Sequence, residues 1–338
     1  MSAAVASLCK GSRYCPIVDV LPEEKGVRKE IIYRVSGDGY LMAEYGREQV
    51  FDLMDAFRLF TIMEKLETRK IDGVIEYGQG FRTLTVIYDP TKTSYRDVIK
   101  ELKSVEEEVG APAELTFKSR LLQIPLTFED SVTRKAIEYY AQIIRRDAPN
   151  IIDGHNIKYV ALYNGLSVDE LKEKILGTEW LIVHQLFYPG GDYQLPIDPR
   201  CALEAPKYNP TRTYTPEGAL GTGGQCYYIY TRVTGGYQLV GRAAPVYQLA
   251  QAHPDYRDSP YLLKYSDRIK YQEVPEEKLL DIYRAVHEEH SPRFRYYIKE
   301  ERFRVRDWIN FVNREDVQEE VREFEKRKRE AQKTVPVP

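Results

Sequence analysis

A chain of 338 residues is longer than one hydrophobic core usually organises, so its length predicts about two domains. With 43% hydrophobic residues, 30% charged and a formal net charge of −3, it has the composition of an ordinary globular protein and lacks the basic excess of a nucleic-acid binder. No apolar run is long enough to span a bilayer, and the N-terminus has no basic start followed by a long apolar stretch, which argues against a membrane protein and a secretory signal.

Residues 1–28 show no clear period and close with Glu23-Glu24-Lys25, so they read as an N-terminal extension or docking arm. A small α+β domain is expected over residues 29–112. Glu30–Val35 and Tyr40–Tyr45 flank Ser36-Gly37-Asp38-Gly39, a hairpin signature, because glycine supplies the positive φ of tight turns. From Glu48 to Leu66, Val50, Leu53, Met54, Phe57, Phe60, Met63 and Leu66 recur at helical spacing. Val74–Tyr77 and Thr83–Tyr88 bracket Gly78-Gln79-Gly80 as a second hairpin, and Ser94 caps a helix carrying Val98, Leu102 and Val105. The order is ββαββα.

A β-barrel domain with a helical insertion is expected over 113–275. Leu121–Leu126 reads as a strand, Asp130 or Ser131 caps a helix that Pro149 ends, and Ser167-Val168-Asp169-Glu170 is a capping box opening another. Trp180–Phe187 reads as a buried strand. From Tyr188 to Tyr271, glycines and prolines at nearly every break describe a closed antiparallel barrel. Residues 276–338 read as a charged, helical C-terminal extension, whose mixed charges suit a solvated or partner-bridging helix.

Few motifs carry chemistry. Cys9, Cys15, Cys201 and Cys226 lack CxxC pairing and the density of a disulfide scaffold, which predicts reduced thiols in a cytoplasm. His287 and His290 lie three apart, where a metalloprotease helix needs four, so no metal is expected there, and His155 and His184 read as structural. Nucleophile-elbow, P-loop and dinucleotide signatures are missing, as is a biotin-accepting lysine between methionines. The 27 tyrosines hint at interfaces within a complex.

Four polar clusters remain between Ile197 and Pro245: Ile197-Asp198-Pro199-Arg200, Pro206-Lys207-Tyr208-Asn209-Pro210-Thr211-Arg212, Gly221-Thr222-Gly223-Gly224-Gln225, and Gly235-Gly236-Tyr237-Gln238-Leu239-Val240-Gly241-Arg242. On a barrel of hairpins such turns are expected to converge on one rim and bind an oxyanion. Cluster by cluster, the plainer alternative is turn-shaping glycines and a structural ion pair from Asp198 to Arg200 or Arg212.

These motifs resemble the allophanate hydrolase subunit 1 family, also called the sporulation-kinase-inhibitor family, most of all in its urea carboxylase form. The likeness continues upstream in Pro125-Leu126-Thr127-Phe128-Glu129-Asp130 and Asp147-Ala148-Pro149-Asn150 and covers about residues 30–275. It implies an α+β fold: a small ferredoxin-like sandwich, then a cyclophilin-like antiparallel β-barrel, with the helical C-terminal extension added. It also implies one half of the carboxyltransferase of a biotin-dependent, multi-subunit carboxylase. The partners implied are a homologous subunit 2-like half, a biotin carboxylase that uses ATP and bicarbonate, a biotin carrier bearing carboxybiotin, and a small-molecule substrate, with neither nucleic acid nor membrane.

In that chemistry the resemblance gives Asp198 the task of accepting a hydrogen bond or proton from the substrate, with Arg200 holding it. Arg212 and Lys207 bind the transferring carboxylate, and Gly223 and Gly224 offer backbone N–H groups. Tyr208, Asn209, Gln225, Gln238 and Arg242 bind substrate or biotin. The sequence departs from the urea carboxylase pattern at Arg242-Ala243, where a threonine usually follows the arginine, and the missing hydroxyl points to a substrate other than urea. Two other roles within the resemblance are the small subunit of an ATP-dependent 5-oxoprolinase or allophanate-hydrolase-type amide hydrolase, and a non-catalytic interaction or kinase-inhibitor module.

Overall fold

A computed structural model describes residues 5, 8, 9, 14–48 and 52–338. The chain divides into two compact units: residues up to Lys118 with Arg302–Asn310, and Ser119–Glu301 with Phe311–Pro338.

The first unit holds β1 (Ile17–Leu21), β2 (Ile31–Ser36), β3 (Tyr40–Tyr45), α1 (Leu53–Thr68), β4 (Val74–Gln79), β5 (Thr83–Tyr88) and α2 (Tyr95–Glu107). Its antiparallel sheet runs β1-β2-β3-β5-β4. In β5, Leu84, Val86 and Tyr88 alternate inward while their neighbours are half-buried, the period of a one-sided sheet. α1 begins later than its apolar spacing suggests, because Asp52 accepts from the Met54 N–H at 2.9 Å and fixes the first turn there. Val50, expected in this helix, lies outside the described residues. The helix buries Phe57 and Phe60 against Phe117, and Phe57 and Phe117 also meet Phe303; Trp308 stands edge-on to Phe57 at 5.1 Å. Two expectations change here. The segment read as an extension contributes β1 to the sheet. Cys9 and Cys15, expected as free thiols, are joined in a disulfide that packs against the cluster containing Ile17 and Ile32, whereas Cys201 and Cys226 are free and buried.

The second unit continues β6 (Thr116–Phe128) through α3 (Ser131–Ile143), α4 (Ile157–Tyr163), α5 (Val168–Gly177), β7 (Trp180–Gln185), β8 (Asp192–Pro196), β9 (Arg212–Thr215), β10 (Ala219–Gly223), β11 (Cys226–Ile229), β12 (Val233–Gly235), β13 (Gln238–Ala243), β14 (Arg268–Glu273) and α6 (Glu276–Tyr283). After these come β15 (Tyr297–Arg304), α7 (Val305–Val312) and α8 (Glu315–Gln332), of which residues 302–310 belong to the first unit. Seven strands close a barrel in the order β13-β10-β11-β8-β7-β14-β6, with β6 returning to β13 and β15 flanking β6. One seam departs from an antiparallel barrel, since β14 runs parallel to β6 with Arg268 opposite Leu121. The crossover needed between parallel strands is everything from α3 to Asp267. The capping box at Ser167 and Glu170 forms as expected.

The C-terminal segment is not purely helical, because β15 interrupts it, nor is α8 solvated all round. Lys328 is 2% exposed, its ammonium donating to Glu204 at 2.9 Å, Glu325 at 2.6 Å and the Ala202 carbonyl at 3.1 Å, and Phe324 is buried beside it. α8 comes so close to Gly165, itself at φ +67°, that a Cβ there would meet the Arg327 backbone at 3.1 Å.

Candidate functional site

Strand alternation sorts the tyrosines of β11 onto two faces. Tyr227 and Ile229 enter one core, where Tyr227 packs 4.5 Å from Trp180, while Tyr228 and the following Tyr230 enter another with Tyr237 and Leu239. On that second face Tyr193, Tyr228, Tyr230 and Tyr237 meet edge to face, with centroids 4.7–6.3 Å apart. The geometry is the favoured one for rings whose edges are positive and faces negative. Gly223 makes the nest possible, since a Cβ there would lie 2.2 Å from the Tyr237 ring.

These rings wall a cavity of about 240 Å³, completed by Phe187, Tyr188, Lys207, Thr211 and the turn Thr234-Gly235-Gly236. Tyr188 and Thr234, from opposite segments of the lining, join hydroxyl to hydroxyl at 3.0 Å. Lys207 is the cation of the lining, its ammonium 5.4 Å from the Tyr237 ring centre, and no carboxylate lines the cavity.

Behind the wall lies Arg212, 1% exposed. Its guanidinium stacks on Tyr208 at 4.5 Å and donates to the Tyr237 carbonyl at 2.6 Å and to Thr215 Oγ1 at 3.3 Å, while its Nε has no partner. Neither Arg212 nor Lys207 forms an ion pair among the described residues. Tyr208, whose hydroxyl burial pushes up to about 12, donates to Asn156 at 2.7 Å. Gln238 is spent internally: it accepts from Asn150 at 2.8 Å and donates to the Pro206 carbonyl at 2.7 Å, tethering the loop that presents Lys207.

The four clusters therefore do not form one rim site. Asp198 lies in a different cavity of about 520 Å³, with Glu170, Lys174, Cys201, Glu320 and Arg327. There it caps a short turn and is gripped by Arg200, Nη2 to Oδ2 at 2.7 Å and Nε to Oδ1 at 3.0 Å, which is the structural ion pair the sequence also allowed. The bidentate bond draws the Arg200 guanidinium further above its ordinary range. Gly224, expected to offer its N–H to a ligand, donates it to the Ala205 carbonyl at 2.7 Å. Gln225 reaches outward to Glu204 at 3.2 Å, and Asn209 gives its carbonyl to Arg145 at 2.8 Å. Arg242 covers Tyr283 at 3.6 Å and bonds the Glu217 carbonyl. Ala243 is fully buried, with its N–H on Gly218 and its carbonyl accepting from Tyr283, and it does not line the Lys207 cavity.

Sequence reasoning passed over the residues that shape the cavity most: Tyr188, Tyr193, Tyr228 and Tyr230. A signal existed in the count of 27 tyrosines and in Tyr228-x-Tyr230, two aromatics on one strand face. Which of the many tyrosines converge depends on barrel closure, which no local pattern fixes.

The class is that of a carboxyltransferase-type domain: an α+β sandwich and a closed seven-strand barrel bearing a cationic, aromatic-lined cavity. The chain belongs to the family described as carboxyltransferase domain, subdomain C and D, which matches residues 31–256. It is 30% identical over 314 residues to a urea amidolyase of Lachancea kluyveri, covering 92% of this chain and 17% of that protein. A putative urea carboxylase of Emericella nidulans is 30% identical over 290 residues, 82% of this chain and 23% of that one. Among solved structures, the urea carboxylase of Kluyveromyces lactis superposes with a TM-score of 0.79 at 28% identity, over 96% of this chain and 29% of that chain. The chain thus spans less than a third of each of these relatives. Among the described residues, no helix is long and apolar enough to cross a membrane.

Proposed function

We propose that this chain forms one half of the carboxyltransferase of a biotin-dependent, urea-carboxylase-like carboxylase, and that the carboxyl group is handed to a small acceptor at the tyrosine-lined cavity beside Lys207. The observation that carries this reading is a pair of cations without carboxylate partners, Lys207 on the cavity wall and Arg212 buried behind it, in a chain of a carboxyltransferase family. A buried cation left uncompensated is costly unless it serves a negative charge, and here it biases the cavity toward one.

Biotin, held by a partner domain or chain, supplies a ureido ring able to carry and release a carboxyl group. The cavity takes the acceptor to which that group passes: its walls are flat, apolar and about 240 Å³ in extent, with a single charged group at the lining. Lys207 meets the carboxylate as a compact charge. Arg212 holds the Tyr237 carbonyl and the Tyr208 ring, and so positions the wall rather than touching the reacting atoms. Tyr188, Thr211 and Thr234 orient the acceptor through their hydroxyls. In this assignment Asp198 and Arg200 brace the barrel corner. The carboxyltransferase is completed by a homologous subunit 2-like half, with a biotin carboxylase consuming ATP and bicarbonate, in a cytoplasmic assembly.

The test is reconstitution with copurifying partners and measurement of bicarbonate-dependent ATP hydrolysis with fixation of labelled bicarbonate. Lys207→Met is expected to lower kcat/KM by about 100-fold, the scale of removing one well-placed charge donor, with an unchanged melting curve. Asp198→Asn should leave kcat/KM within about threefold, as for a residue that braces structure and makes no transition-state contact. Full turnover in Lys207→Met, or partners without biotin, would sink the proposal.

A further inference from the structure

The lining of the Lys207 cavity selects a class of acceptor, and this deepens the carboxyltransferase reading and rests on it. Tyrosine faces turned toward a cavity attract a cation, because each ring face is negative. Here that role is already filled. Lys207 stands 5.4 Å from the Tyr237 ring, and the Arg212 guanidinium lies 6.0 Å from the Tyr230 ring on its buried side. A second cation entering the cavity would meet like charge with no carboxylate in the lining to offset it. Asp192, whose charge reaches Tyr228, is kept protonated to about pH 7 by burial.

Size and polarity narrow the class further. About 240 Å³ between ring faces accommodates one flat ring with a small head group, and the exposed Phe187 and the Tyr188–Thr234 hydroxyl pair leave an apolar body room with two hydroxyls near it. Urea leaves those walls uncovered. We infer that the acceptor is a flat, apolar-bodied carbonyl compound, an amide or ketone, with a neutral or anionic head group beside Lys207, and that cationic amidines and guanidines are excluded.

Benzoate, benzamide and benzamidine share one shape and carry charges of −1, 0 and +1, so their binding to the full chain at pH 6 reads the cavity's preference directly. By saturation-transfer NMR with competition, benzoate is expected to bind most tightly and benzamidine roughly tenfold or more weaker, the scale of one charge–charge contact at a partly screened site. Lys207→Met should remove the difference between benzoate and benzamide, and Lys207→Glu should invert the order. Both substitutions are at an exposed position, so folding is preserved. Benzamidine binding as well as benzoate, no binding by any of the three, or an order indifferent to Lys207 overturns the inference. A separate arm asks whether ring amides or aryl ketones stimulate bicarbonate-dependent ATP hydrolysis in the reconstituted complex. With the binding order intact, failure of these compounds where urea succeeds overturns the acceptor class alone. Failure of every acceptor overturns the carboxyltransferase reading and leaves only an anion-selective cavity.

Discussion

Asp192 shows at the scale of one residue what the barrel tolerates. It is 1% exposed, accepts one hydrogen bond from Gln185 at 2.8 Å, and burial, reinforced by the charge of Asp267, raises its carboxyl to about 7. Between about pH 4 and pH 7 the folded chain holds a proton that the unfolded chain has released, so stability falls as pH rises through that window and levels off above it. Over the whole window the retained proton corresponds to roughly 4 kcal/mol. Asp192→Asn keeps the acceptor for Gln185 without the charge. In urea titrations the stability of the variant minus that of the wild type is expected to grow from near zero at pH 4 to a few kcal/mol at pH 8. A flat difference would mean the carboxylate is solvated in the fold. At the same scale, Gly223→Val should cost about 1–3 kcal/mol in melting experiments, as overpacking against the Tyr237 ring does.

At the scale of elements, α8 carries the clearest prediction. Its mean composition is charged, yet one face holds Val317, Phe324 and Lys328 against the barrel unit, and Arg327 forks onto Glu170 with both bonds at 2.8 Å. Lys328→Met keeps the stem and removes the ammonium, leaving Glu204 and Glu325 facing each other. A loss of about 2 kcal/mol is expected by chemical denaturation, below the cost at a fully buried pair because both carboxylates are part exposed. Lys328→Arg should recover part of it. Local signals made most elements legible: the glycine hairpins of the sandwich, the Ser94 and Asp130 caps and the Ser167 capping box all appear where their chemistry required. What sequence could not supply was pairing across distance. The parallel β6–β14 seam joins residues about 150 apart in the chain, as Leu121 against Arg268 shows. The four polar clusters are adjacent in sequence, yet pairing sends Asp198 toward α8 and Lys207 toward the tyrosine face. Lys207, which lines the cavity, was legible as a candidate, while Tyr188, Tyr193, Tyr228 and Tyr230 were hidden among the other tyrosines.

The whole molecule consists of two units threaded twice by one chain, since residues 302–310 return to the first unit after the second has been built. The chain has two tryptophans, and the division assigns one to each: Trp308 against Phe57 in the first, Trp180 against Tyr227 in the second. Each indole is thus a resident fluorophore of its own unit. Replacing either by phenylalanine leaves a single tryptophan, which, excited beyond the tyrosine band, follows one unit at a time by its red shift on unfolding. Coincident transitions of the two variants would make the doubly threaded chain one cooperative body, and separated transitions would give each unit a stability of its own.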